Sequence, residues 1–182
     1  MSMNYKANMF DYDRFQNELG SALYEALETN ISEPLIRFID ENIKILKTPL
    51  EGKLLDTSWR SLRSSWTVQN YGDFAITKFY DPKSGIMIGP LWLPIDDFLH
   101  TKLGDNTPIL FGEPFGPESN YFDPGVMGSY FQSAQEVQTN FLLLHDLTHD
   151  DPGLLEQYDS LDEIIDLFRV SARAKMGLYV RF

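Results

Sequence analysis

Apolar residues recur at helical spacing from Phe15 through Leu19, Ala22, Leu23, Ala26 and Leu27, which predicts an amphipathic helix over 13–29 with Asp13 as its N-cap. A second such run, Leu35, Ile36, Ile39, Ile43 and Leu46, predicts a helix over 33–46, capped by Ser32 with Pro34 in its first turn. The two read as a helical hairpin. Residues 47–65 lose periodicity around Pro49 and Gly52. The run FAITKFY at 74–80 is rich in strand formers, 81–85 reads as a turn, and 86–89 as its hairpin partner. A short helix is expected over 95–101 and a short strand over 108–112. Gly and Pro then break the pattern from Gly112 to Gly128, and Tyr130 and Phe131 mark a return to the sheet.

Two further helices carry start signals. Ser133 and Glu136 form one capping box, followed by a stripe of Ala134, Val137, Phe141 and Leu144. Ser160 and Glu163 form the second, followed by Leu161, Ile164, Ile165, Phe168 and Ala172. Gly177 is expected to end that helix, and 178–182 reads as a terminal strand. Helices and strands are segregated more than alternated. The fold class is therefore α+β, a mainly antiparallel sheet packed against the N-terminal helical hairpin and two C-terminal helices.

The 182 residues suffice for one core, and no repeat or linker divides them, so a single domain over 1–182 is expected. With no cysteine, the chain has no disulfide, thiolate metal site or Cys nucleophile. The N-terminal stretch has no apolar run of signal-peptide length, and the longest apolar runs span only a few residues, such as 141–144. The expectation is a cytoplasmic protein without a membrane span.

Charge changes this picture. The net charge is −12, and no Lys or Arg occurs between Lys102 and Arg169. That stretch holds thirteen acids: Asp105, Glu113, Glu118, Asp123, Glu136, Asp146, Asp150, Asp151, Glu156, Asp159, Asp162, Glu163 and Asp166. The rest of the chain is nearly neutral, with 14 acids against 15 bases. Neither nucleic acid nor an anionic membrane is expected as a direct partner, because both need a basic patch. A basic protein or a divalent cation fits. Acidity also serves solubility. Asp162, Glu163 and Asp166 early in their helix, with Arg169, Arg173 and Lys175 late, have a further explanation in the helix macrodipole.

Two segments carry candidate chemistry. In His145-Asp146-Leu147-Thr148-His149 two histidines stand four apart, as in HExxH zinc sites, with Asp in place of Glu. A zinc would need a third ligand, and Asp150, Asp151 and Glu156 are near in sequence. Pro152-Gly153 predicts that the helix ends about there, which would misalign the pair and leave two ordinary helix-end histidines. The second segment, 111–131, interleaves rings with acids. Glu113, Phe115, Glu118, Tyr121, Phe122 and Asp123, together with Asp146, Asp150 and Asp151, are the candidate partner contacts, rings as anchors and carboxylates as steering charge. The competing reading is that the rings pin the loop to the core. Asp96, Asp97, Glu113, Glu118 and Asp123 are loop-proximal carboxylates, but spacing alone shows no hydrolytic pair. There is no GxSxG elbow, no phosphate-binding GxxxxGK[ST] and no GxGxxG.

In profile the chain resembles bacterial immunity proteins, small acidic cytosolic proteins that neutralise a toxin by binding it. That resemblance rests on no residue motif. It implies a non-enzymatic protein-binding domain acting on a basic partner such as a toxin nuclease, with no cofactor. A metal-dependent hydrolase using His145 and His149, and a structural subunit of an assembly, are the alternatives. The oligomeric state is left open.

Overall fold

The computed structural model describes residues 4–104 and 108–182, without the side chains of 62–65; Asp105 and its two successors lie outside the described residues. The first strand, β1 (Tyr5–Phe10), alternates its side chains between two buried layers. Residues 12–29 form one helix, α1, made of an α-turn Tyr12–Phe15, a π-helical segment Gln16–Gly20 and an α-helix Ser21–Thr29. Helix α2 (Glu33–Asn42) follows, then a 3-10 segment Thr57–Ser65 and α3 (Val68–Ile76). The second half runs β2 (Ile86–Ile88), α4 (Trp92–Leu103), β3 (Ser129–Gln132), α5 (Ala134–Asp150), α6 (Leu154–Gln157), α7 (Leu161–Ala174) and β4 (Gly177–Arg181).

The strands form one antiparallel sheet in the order β2-β1-β4-β3, so the first and last strands pair at its centre. Helices cover both faces. On one, Phe10, Phe131 and Tyr179 meet Phe15, Leu19 and Leu23 of α1, and Tyr71 and Ala75 of α3. The rings of Phe15 and Phe131 stack in parallel at 5.5 Å, and Phe131 stacks on Tyr179 at 4.9 Å. On the other face, Tyr5, Ala7, Leu178 and Val180 meet Ile95 and Leu99 of α4, Val137 and Leu144 of α5, and Ile164 and Phe168 of α7. The α+β class and the antiparallel sheet stand, with the sheet sandwiched between the N-terminal and C-terminal helices.

Several local expectations are overturned. Residues 74–80 are not a strand. A capping box of Thr67 and Asn70 starts α3, and Val68, Tyr71, Gly72, Ala75 and Ile76 form a continuous buried helical stripe. The strand-like composition of 74–80 spans only seven residues, too few to show that period. Strand β2 therefore pairs with β1, through Tyr5–Ile88, Lys6–Met87 and Ala7–Ile86. Gly85 turns the chain into β2 at φ +98°, where a Cβ would strike the Ala7 carbonyl. Residues 108–112 are turns, and pairing there is limited to a bridge between Glu113 and Phe131. Asp11, not Asp13, caps α1, accepting from the Arg14 amide at 3.3 Å. Helix α2 stops at Asn42, and Leu46 is buried beyond it. Ser160 makes no capping bond, because the turn into α7 puts it in the left-handed region at φ 68°.

Candidate functional site

The strand register creates one row across the whole sheet, polar in three of its four strands. Met87, Lys6, Arg181 and Ser129 are successive partners in β2, β1, β4 and β3. They line a cleft of about 420 Å³ that opens where the aromatic face of the sheet ends. Asp73, near the end of α3, faces the row from the covering layer, and among the described residues it is the one acidic side chain in the lining. Its Oδ1 is buried without a hydrogen-bond partner and lies 4.0 Å from Nη1 of Arg181, too far for a hydrogen bond. Burial raises the Asp73 carboxyl to about 6, with Arg181 pulling the other way. Lys6 is lowered by burial and by the adjacent guanidinium.

Neutral carbonyls hold both cations. Arg181 Nη2 donates to Pro49 O at 3.0 Å, and Lys6 Nζ to Pro82 O at 3.1 Å. Behind the row, the Tyr179 hydroxyl shares a 3.2 Å bond with Ser129, and the Tyr80 hydroxyl is buried without a hydrogen-bond partner. The far wall is 124–128. Asp123 ties this loop by accepting from the Gly128 amide through both carboxylate oxygens at 3.1 Å. Within it Val126 sits at φ 57°, a left-handed conformation that β-branched residues rarely adopt, with its side chain in solvent.

The second charged region is the end of the α5/α7 pair. These helices pack along each other and are joined by 151–160. Asp146, Asp150, Asp151, Glu156, Asp159, Asp162 and Glu163 are gathered there, all exposed. Among the described residues none of the seven has a Lys or Arg within ion-pair distance; Asp166, further along α7, pairs with Arg169 at 2.9 Å. Leu142 and Leu155 lie exposed in the same segment.

Helix α5 runs through the histidine pair to Asp150, so the expected misalignment does not occur. The rings of His145 and His149 lie parallel, 6.3 Å apart, on the exposed face, with Asp146 at 3.5 Å from His145 Nδ1. A third ligand is not in reach. Among the described residues no group of three or more His, Asp or Glu side chains is placed to hold a metal.

The aromatic loop is tied down. Phe122 is fully buried against Phe131 and has no surface to offer a partner, which corrects its place among the candidate contacts. Gly72 of α3 lets that ring approach, since a Cβ there would stand 2.7 Å from it. Phe115 is half-buried against Phe15 at 5.0 Å. Asn120 donates to Leu27 O, and Gln69 bonds both Tyr121 O and the Asp123 amide. Glu113, Glu118 and Tyr121 remain exposed, and Asp123 is half-buried in its bond to Gly128. Phe115 and Phe122 of this loop pack with the N-terminal helices, while Asp146 and Asp150 stand on α5, which packs in the opposite layer. Of the loop-proximal carboxylates, Asp96 lies in α4 beside His100 at 3.5 Å.

Comparison with protein families, with characterised proteins and with solved structures yields no match. The arrangement of side chains is thus the whole basis for a functional reading. Sequence reasoning missed the cleft entirely. Its residues are Asn4, Lys6, Leu50, Asp73 and Met87 with others drawn from 124–129 and 179–182, and no motif links them. The one signal available was Lys6, a lone cation in the alternating run YKANMF that becomes β1.

Proposed function

We propose that the chain is a non-enzymatic binding domain for a basic protein, docking through the acidic end of the α5/α7 pair. The observation that carries this reading is where three of the acids stand. Asp146, Asp150 and Asp151 occupy the C-terminal turns of α5, the negative pole of that helix. Charge there opposes the macrodipole, at about 0.3–1 kcal/mol per group, whereas fold stability alone favours Lys or Arg. Asp162 and Glu163, at the start of α7, need no such explanation. An acid cluster maintained against local stability is what electrostatic steering toward a cationic surface requires. Leu142 and Leu155 supply apolar contact area within it.

Neutralisation of a basic toxin such as a nuclease is the most concrete form of this function. The test is capture of a partner from native extract, followed by affinity measurements on the purified pair. A basic partner is expected whose Kd weakens by about tenfold or more between about 50 and about 300 mM salt. Joint replacement D146K/D150K/D151K is expected to abolish steering. A Kd indifferent to both salt and charge reversal would overturn the reading.

A further inference from the structure

We propose that the cleft at the end of the sheet is a binding site for a small organic acid that carries a hydrogen-bond donor beside its carboxylate and a short apolar tail, as α-amino and α-hydroxy acids do. The first argument is the charge placement. Lys6 and Arg181 are direct cross-strand partners, so two cations share one face of adjacent strands. Like charges directly opposite each other destabilise a sheet. The chain has 27 acids and 15 bases, so acids are abundant. Yet among the described residues the one side-chain carboxylate in the lining stops 4.0 Å short of the guanidinium, and the two cations are held by backbone carbonyls. Among the described residues no side-chain carboxylate comes within hydrogen-bond distance of either cation.

The second argument is the acceptor. Asp73 keeps a fifth of its side chain open, its Oδ1 unbonded, next to that cationic pair. It repels a dianion and accepts from an ammonium or hydroxyl. A carboxylate on Arg181 and Lys6 and a donor on its neighbouring carbon toward Asp73 satisfy all three groups with one ligand. The third argument is the wall. Leu50, Met87 and Pro124 supply the apolar part of the lining, with Asn4 at its edge, and Leu50 and Met87 are exposed apolar residues that gain cover from a short aliphatic tail. The volume, about 420 Å³, lies within the range of small-molecule pockets. This site is separate from the acidic end of α5 and α7 and does not depend on the function proposed for it.

The test is titration of the isotope-labelled full chain, followed by amide chemical shifts, with four probes: L-leucine, the matching α-hydroxy acid, the matching acid without an α substituent, and the matching amine without a carboxylate. Leucine or the hydroxy acid is expected to give saturable shifts at Lys6, Ser129 and Arg181. The unsubstituted acid should bind about tenfold more weakly, the strength of one charge-assisted hydrogen bond, and the amine not at all. D73A should erase the difference between the substituted and unsubstituted acids. K6M should lose affinity while its melting temperature holds or rises, since it removes a like-charge contact. Shifts absent with all four probes up to about 10 mM, shifts scattered away from the cleft, or binding unchanged in K6M would overturn the proposal.

Discussion

The two charged regions are built on opposite terms. At the end of α5 and α7, seven acids stand in water, where each costs little and none needs a defined partner. In the cleft, Asp73 and Arg181 are largely and Lys6 is partly withdrawn from water, where a charge costs free energy unless something answers it. Like charges in solvent shape the long-range field and the rate of encounter. Unlike charges in a cleft define a geometry. A chain can therefore carry a large net charge without any local chemistry, and its most chemically specific site can lie where the net charge is smallest.

The comparison predicts unequal responses to mutation. The largest effect is expected for Arg181→Ala, which strips the buried Asp73 of its cation and Pro49 of its donor. It should cost roughly 2–4 kcal/mol in urea unfolding. A loss below about 0.5 kcal/mol would erase the contrast between buried and exposed charge.

Asp73→Asn comes next, with a sign set by the raised carboxyl. The folded value is about 6, and the unfolded value is near ~3.9. The folded chain binds this proton more tightly, so the group's contribution to stability is greatest below about pH 4. It declines as pH rises toward about 6, then levels off. After allowance for partial exposure, the decline amounts to about 1–2 kcal/mol. D73N should match the parent near pH 4 and exceed it by that amount at pH 8. Denaturation midpoints across this range check it, and equal pH profiles for both proteins would remove the cost assigned to the buried carboxylate.

Smaller effects are expected from the remaining changes. Lys6→Met should raise stability by up to about 1 kcal/mol, by removing the cross-strand repulsion. Asp150→Lys should also stabilise, by about 0.3–1 kcal/mol, because a cation suits the end of α5. That gain should shrink in high salt, whereas the K6M gain should persist. Thermal melts at two ionic strengths separate the two.

Different parts of the molecule were legible in the sequence to different degrees. Helices α1, α5 and α7 were readable because each carries a full amphipathic stripe over many turns, and Ser133 with Glu136 marked the start of α5. Ser160 and Glu163 show the same letters, yet the backbone at Ser160 denies the cap. A capping motif works only if the preceding chain enters at the right angle, which the connection from α6 decides. Strand β1 carries no clear strand signal in the sequence, because Lys6 and Asn8 interrupt its apolar residues. Only beside β4 do those polar residues find their row, with Asn8 opposite Tyr179 and Lys6 opposite Arg181. The candidate contacts at 112–131 mixed two populations that composition cannot separate. The ring of Phe122 is spent on the core, while Glu113 and Glu118 face water.

By itself the sequence determined the fold class, the major helices and the asymmetry of charge, because periodicity and charge blocks are local along the chain. Tertiary structure alone decided that β1 and β4, the most distant strands, pair at the centre of the sheet, and that Lys6, Asp73 and Arg181 share a cleft. The reason is the same in both cases. Strand register places residues side by side according to pairing across space, and no interval in the sequence encodes it.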